Sequence, residues 1–337
     1  MRSGARRFAI SIVVSALLVT FLLRDVGAGR VVATIRDAYW TGIGLAALAF
    51  AAMLAARVAR YRVLLSQRVG LVPLTLITMV RGMLADLLPA RLGSLSYVYL
   101  VRTRAGVPLD DALSSFLLAL VFDMVAIAPL LLLAMAIVGV GLEAGWGMVV
   151  LAVLLLGVSA LGLWFLAPLL RGMARLLNAA STDAGGGLPG AARTLGNALH
   201  STAGRVDQVR RRGVLVPVFL LSLAVRLTKF GGHYFLLQAV LVPLGVAWGS
   251  LGFFESFLGV AGAELSAMLP ISGLAGFGTW EAAWTLGFTQ LGLTPDQAVL
   301  SGFATHVLSQ LHDYTLGILA LIALMWPGRR SGTRERA

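Results

Sequence analysis

Long apolar runs, broken at a few places by single charged residues, set the pattern of this chain. A helix crosses hydrocarbon with about 20 apolar residues, and runs of about that length recur from end to end. The pattern predicts full spans near residues 8–23, 40–56, 112–140, 146–170, 214–247 and 297–326. Two further apolar stretches, 71–100 and 250–292, do not read as unbroken helices. The first is interrupted at LPARLG (88–93) and the second at PISGLAGFG (270–278). Proline and clustered glycine remove backbone hydrogen bonds there, and in hydrocarbon each orphaned group costs several kcal/mol unless protein or water receives it. Both stretches are therefore predicted as helix pairs meeting at a break, the second as half-helices near 250–269 and 280–292. The fold class that follows is all-α: a polytopic integral membrane helical bundle of six to eight spans, with two broken or re-entrant hairpins.

The two breaks resemble each other. MLADLLPARLG (83–93) lies beside AELSAMLPISG (263–273), each with an acid, then Leu-Pro, then a glycine three or four residues on. Three crossings separate them, so they are approached from opposite sides of the membrane. That is the arrangement of an inverted repeat with a shared site near the midplane.

Composition sharpens this picture. The chain is 58% hydrophobic and 12% charged, with mean hydropathy +0.89, whereas a soluble domain is about a quarter charged. One integral membrane domain over 1–337 is predicted: a first half (8–170), a cytoplasmic basic loop (171–213), a second half (214–326) and a basic tail (327–337). The net charge of +12 would suit nucleic acid. The arginines, however, gather at the ends of apolar runs, which points to lipid headgroups instead. Arg57, Arg60, Arg62 and Arg68 are expected to reach such headgroups, and 171–213 to be solvated, with an amphipathic helix at 191–209. Most cations fall in 1–7, 57–68, 102–104, 171–212 and 329–336, so the positive-inside rule places both termini and the long loop in the cytoplasm. Run 8–23 follows Arg2, Arg6 and Arg7 like a signal peptide, but no small-residue cleavage site follows it, so it is read as a retained span. With no cysteine there is no thiolate metal site, disulfide or Cys nucleophile.

Candidate chemistry rests on the ionisable residues at membrane depth, each costly by roughly 2.5–3.5 kcal/mol on insertion. They are Arg81, Asp86, Arg91, Asp123, Arg226, Lys229, Glu255, Glu264, Glu281 and Asp313. One reading is internal ion pairs that hold helices together. The other is a binding site for a polar headgroup. In that reading Arg91, just past the first break and before Gly93, joins freed backbone N–H groups in holding a phosphate. Arg226 and Lys229, one turn apart, supply a second clamp. Gly273, Gly276 and Gly278, with the Ser272 hydroxyl, let the second break approach the headgroup closely. Glu264 and Glu281 flank that break and would receive a cationic group. His306, Gln310 and Asp313 share one helix face, read as a polar seam rather than a metal site. No nucleophile elbow or Walker motif is present, so neither an enzyme nor a bound cofactor is expected.

The pattern LPARLG, followed later by LPISG…GFGTWE (269–281), resembles the lysylphosphatidylglycerol synthase transmembrane-region family. The likeness runs over about 8–326. It implies flippase-like movement of a lipid with a polar or phosphate-bearing headgroup across the bacterial inner membrane, with membrane lipids as partners and no nucleic acid. The family's soluble aminoacyltransferase domain has no counterpart in these residues, so its transferase activity does not carry over. His306 stands where many relatives are expected to have arginine. The alternative is a non-transporting membrane subunit that scaffolds or regulates a lipid- or glycan-modifying enzyme, docked on 171–213.

Overall fold

The structure is a computed structural model that describes residues 17–24, 26–138, 142–180, 188–266 and 274–326. Among these it is all helical. Helical residues 17–23 lead into α1 (Ala28–Arg36), α2 (Trp40–Leu64) and α3 (Leu71–Leu87). A 3₁₀ segment, Pro89–Leu95, joins α3 to α4 (Ser96–Ala105). Then come α5 (Leu109–Val138), α6 (Leu142–Ala180), α7 (Leu188–Arg211) and α8 (Leu215–Leu241). A second broken element holds α9 (Phe253–Ser266), a short 3₁₀ turn (Leu274–Gly276) and α10 (Thr279–Gln290), and α11 (Pro295–Met325) closes the bundle. Segments Trp40–Leu64, Leu109–Val138, Leu215–Leu244 and Pro295–Met325 are long and apolar enough to cross a membrane. Large apolar side chains such as Leu48, Leu133, Leu220, Leu286 and Ile322 stand exposed on the bundle surface, as a lipid-facing exterior requires.

The local chemistry of the helix ends is conventional. Proline fixes φ and lacks an N–H, so Pro89 ends α3 and opens the 3₁₀ segment. At the start of α11 the Thr294 hydroxyl accepts from the Gln297 N–H (3.3 Å), and the Gln297 side chain accepts from the Thr294 N–H (3.1 Å). This reciprocal cap is followed by Pro295 in the first turn.

Packing depends on missing side chains at two crossings. Between α2 and α8, Gly232 lies under the Phe50 ring, where a Cβ would sit 2.3 Å from a ring carbon. Between α3 and α11, a Cβ on Gly317 would sit 2.3 Å from the Met83 Cβ. Lipid offers little hydrophobic drive for helix association, so close backbone approach through small residues supplies dispersion contact instead.

Of the five apolar clusters that result among the described residues, two are large. One gathers Tyr61, Leu74, Ile77, Tyr97 and Leu118, and the amphipathic α7 adds Ala203 and Val206. The other gathers Phe230, Phe257, Trp284 and Phe288. Along α5, Phe122 belongs to the first core and Ile127 to the second. Along α8, Val218 belongs to the first and Phe230 to the second. Asp123 of α5 and Arg226 and Lys229 of α8 lie in the gap between, about midway along these helices.

Several expectations are corrected. The end of α2 that carries the arginines is packed inside the bundle, with Val58, Tyr61 and Leu64 buried. Arg60 is 0% exposed and Arg57 lines an internal cavity, so neither reaches the headgroups. Between the first two predicted spans lies α1. Segment 171–213 is not a solvated loop throughout, because α6 continues to Ala180 and α7 buries Leu199, Ala203, Val206 and Val209. The first break is a 3₁₀ turn rather than irregular chain. Most of the second, 267–273, lies outside the described residues.

The arginine-rich connections meet at one end of the bundle. Arg68 pairs with Asp111 (2.9 Å) and Arg205 with Asp110 and Asp111 (3.0 and 3.3 Å). Arg171 bonds Asp207, and Arg212 bonds the Ser66 hydroxyl. Near the start of α11 the charges are sparser, with Arg30 on Asp296 (2.8 Å).

Candidate functional site

The two breaks touch: the 3₁₀ segment after α3 contacts the 3₁₀ turn before α10, and α11 packs along α3 beside them. Where they meet, α2, α3, α5, α8, α9 and α11 enclose a cavity of about 160 Å³. Nine residues singled out from the sequence line it: Arg81, Asp86, Asp123, Arg226, Lys229, Glu264, Gly276, His306 and Asp313. Arg57, His233 and Gln310 join them.

One side of this cavity is a knot of ion pairs. The Arg60 guanidinium sits behind the wall and donates to Asp123 Oδ1 (2.6 Å), Asp123 Oδ2 (3.4 Å) and Ser222 Oγ (2.9 Å). Arg226 donates from Nε to the Asp123 carbonyl oxygen (3.2 Å) and lies 3.7 Å from Glu264 Oε2. Lys229 Nζ forms an ion pair with Glu264 Oε1. Arg226 and Lys229 thus face Glu264 and Asp123 rather than forming a free clamp, and Glu264 already holds its cationic partner. Burying one such charge alone would cost several kcal/mol, so the pairing is what makes the knot tolerable.

A second network fastens the second break to α11. Glu281, 0% exposed, accepts from the Gly278 N–H (2.6 Å) and from His306 Nδ1 (2.5 Å). An ionised carboxylate only accepts, so Nδ1 carries the proton and Nε2 is left as an acceptor. Gln310 supplies the matching donor, with Nε2 2.7 Å from His306 Nε2 and 2.6 Å from the Ala275 carbonyl oxygen. Phe277 and Trp280 lie against the imidazole, with ring centroids 4.6 and 4.5 Å away. Glu281 and Gly278 therefore act in the helix cap and not on the cavity wall. Gly278 takes φ 91 and Gly276 φ 79, backbone that other residues rarely adopt.

The remaining side is differently charged. Among the described residues, Arg57 and Arg81 line the cavity without a carboxylate in ion-pair contact. Arg57 donates to Met53 Sδ (3.4 Å), and the buried Arg81 Nε has no hydrogen-bond partner. Ser94 completes this wall. Gly93 has a packing role instead: a Cβ there would lie 1.6 Å from the Leu84 carbonyl oxygen. The Arg91 side chain, Ser272 and Gly273 lie outside the described residues. No cluster of metal-ligating side chains occurs among those described.

Sequence reasoning missed Arg57 and Arg60. The signal was present in the apolar residues interleaved with them, which carry α2 into the core.

A helical membrane bundle holding a charged cavity where two helix breaks meet is the class these features define. More narrowly, the chain belongs to the lysylphosphatidylglycerol synthase TM region family, whose pattern it matches over residues 8–317. No curated protein matches it. That family is one of membrane-lipid handling.

Proposed function

We propose that the protein moves a lipid with a polar or phosphate-bearing headgroup across the bacterial inner membrane. The headgroup enters the cavity while the acyl tails stay in hydrocarbon. The observation that carries this reading is the pair of guanidiniums, Arg57 and Arg81, lining the cavity without a carboxylate partner among the described residues. A cation held there unpaired is costly unless an anion visits, and guanidinium binds phosphate oxygens through two parallel N–H donors. The family's name links its members to a phosphate-bearing lipid. The likeness of the two breaks supports an inverted repeat, in which rocking of one half against the other exposes the cavity to each side in turn. The basic end of the bundle then faces the cytoplasm, with both termini.

The test is reconstitution in vesicles carrying phosphatidylglycerol with a fluorescent headgroup label, following exposure of inner-leaflet label to dithionite. Wild type is expected to expose it. Arg57→Gln and Arg81→Gln are each expected to slow it at least about tenfold, the loss of one charge-assisted contact of roughly 1.5–3 kcal/mol, with thermal stability kept because neither has an ion pair to lose. A wild type that moves no label would favour the scaffolding alternative, and parallel loss of stability and movement would make both arginines structural.

A further inference from the structure

Two further acids, Asp86 and Asp313, line the same cavity. Gly317 lets α11 approach α3 at Met83. One turn farther along this antiparallel crossing, Asp313 of α11 comes within hydrogen-bonding reach of Asp86 of α3. Two ionised carboxylates brought this close can only accept hydrogen bonds and repel each other, which favours one proton shared by the pair.

The charges around the pair decide what that proton does. On the wall, Arg57, Arg81, Arg226 and Lys229 oppose Asp86, Asp123, Glu264 and Asp313. Fully ionised, these described groups sum to zero. Arg60 and Glu281, behind the wall, add one charge of each sign and leave the sum unchanged. One proton on the aspartate pair makes the cavity singly positive, and an anion seated at Arg57 and Arg81 then restores neutrality. Asp123 and Glu264 are already committed to Arg60, Arg226 and Lys229. The remaining titratable groups near the pair are His233 of α8, hydrogen-bonded through Nδ1 to the Lys229 carbonyl, His306, already held between Glu281 and Gln310, and the Tyr314 phenol.

We propose that the Asp86–Asp313 pair is a proton site linked to the anion seat, so that a phosphodiester headgroup and one proton occupy the cavity together. This rests on the lipid reading above and adds its coupling: net movement of a singly charged headgroup would carry a proton with it and no net charge. The linkage has a definite sign. The proton-bearing form binds the anion, so affinity is highest at low pH and falls as the pair ionises.

The test measures binding of dihexanoylphosphatidylglycerol and of tail-less glycerophosphoglycerol to the purified full chain by titration calorimetry. Both probes are phosphodiesters whose own charge is constant over the range used, about pH 5.5 to about 8.5, and a single linked proton sets a limiting slope of about tenfold in Kd per pH unit. Wild type is expected to approach that slope with the lipid probe. Asp313→Asn and Asp86→Asn, checked for unchanged thermal stability, are each expected to bind at every pH with the slope lost. A flat wild-type profile overturns the proton linkage and leaves the lipid reading standing. A slope that persists in both variants assigns the proton to His233 or His306 and likewise overturns the proposal. Absence of binding at any pH sinks both. Equal affinity for the tail-less probe keeps the linkage but counts against a lipid as the cargo.

Discussion

Arg60 shows how a single side chain can hold a membrane bundle together. Its guanidinium reaches Asp123 on α5 and Ser222 on α8 from a site on α2, and nothing apolar of its size would satisfy those groups. Arg60→Met is expected to lower the unfolding temperature in detergent, with a loss of about 3–5 kcal/mol, because Asp123 would remain buried with Arg226 alone at 4.0 Å. Adding Asp123→Leu should recover much of that loss, since an apolar pair leaves no orphaned charge. If Arg60→Met alone is neutral, the knot is not a structural fastener. Glu281 teaches the complementary lesson. From sequence it flanked a glycine-rich break like a ligand, yet its two oxygens are spent on the Gly278 N–H and His306. The acid shapes the break rather than the site.

At the scale of elements, the crossing of α2 and α8 depends on Gly232 lying under Phe50. Gly232→Leu is expected to abolish most folded protein, because neither backbone can retreat without opening the cavity wall. Phe50→Ala in the same chain should restore part of the yield, measured by monodisperse protein after gel filtration, since the two changes share one space. Independent, additive effects would show that the crossing is not set there. Both breaks and most long helices could be read from sequence, because proline, glycine clusters and apolar length act locally. So could the cap at Thr294, whose partner is three residues away. The partners of Arg60 lie 63 and 162 residues off, and no local pattern carries such distances. The same holds for α7, whose polar composition suggested water although its inner face packs on α6. Of the candidate site, the charged residues were legible because charge in an apolar run stands out. Which of them pair and which stay open was not, since that depends on how α2, α3, α8 and α11 cross.

The whole molecule is polarised along its long helices. The arginine-rich connections interlock through Asp110, Asp111 and Asp207 at one end, while the end near Asp296 carries few charges. Anionic lipid and the positive-inside bias both favour the basic end in the cytoplasm. The chain contains no cysteine, so Gly190→Cys would give a single reporter thiol. An impermeant maleimide is expected to label it in inverted vesicles and not in intact cells. Labelling of intact cells would reverse the orientation.

The knot around Asp123 also sets an order of manufacture. Arg60, Asp123 and Arg226 leave the ribosome in that sequence, the last 103 residues after the second. At about 5–20 residues per second, α8 trails α2 by on the order of ten to thirty seconds. Once α5 has followed α2, and until α8 arrives, the first half holds Asp123 against Arg60, with the place of Arg226 and Ser222 still empty. A chain cut short before α8 keeps that incomplete seam in hydrocarbon for its whole lifetime. The same charges that shape a finished cavity therefore mark an unfinished protein, through solvation that the missing helix has yet to replace.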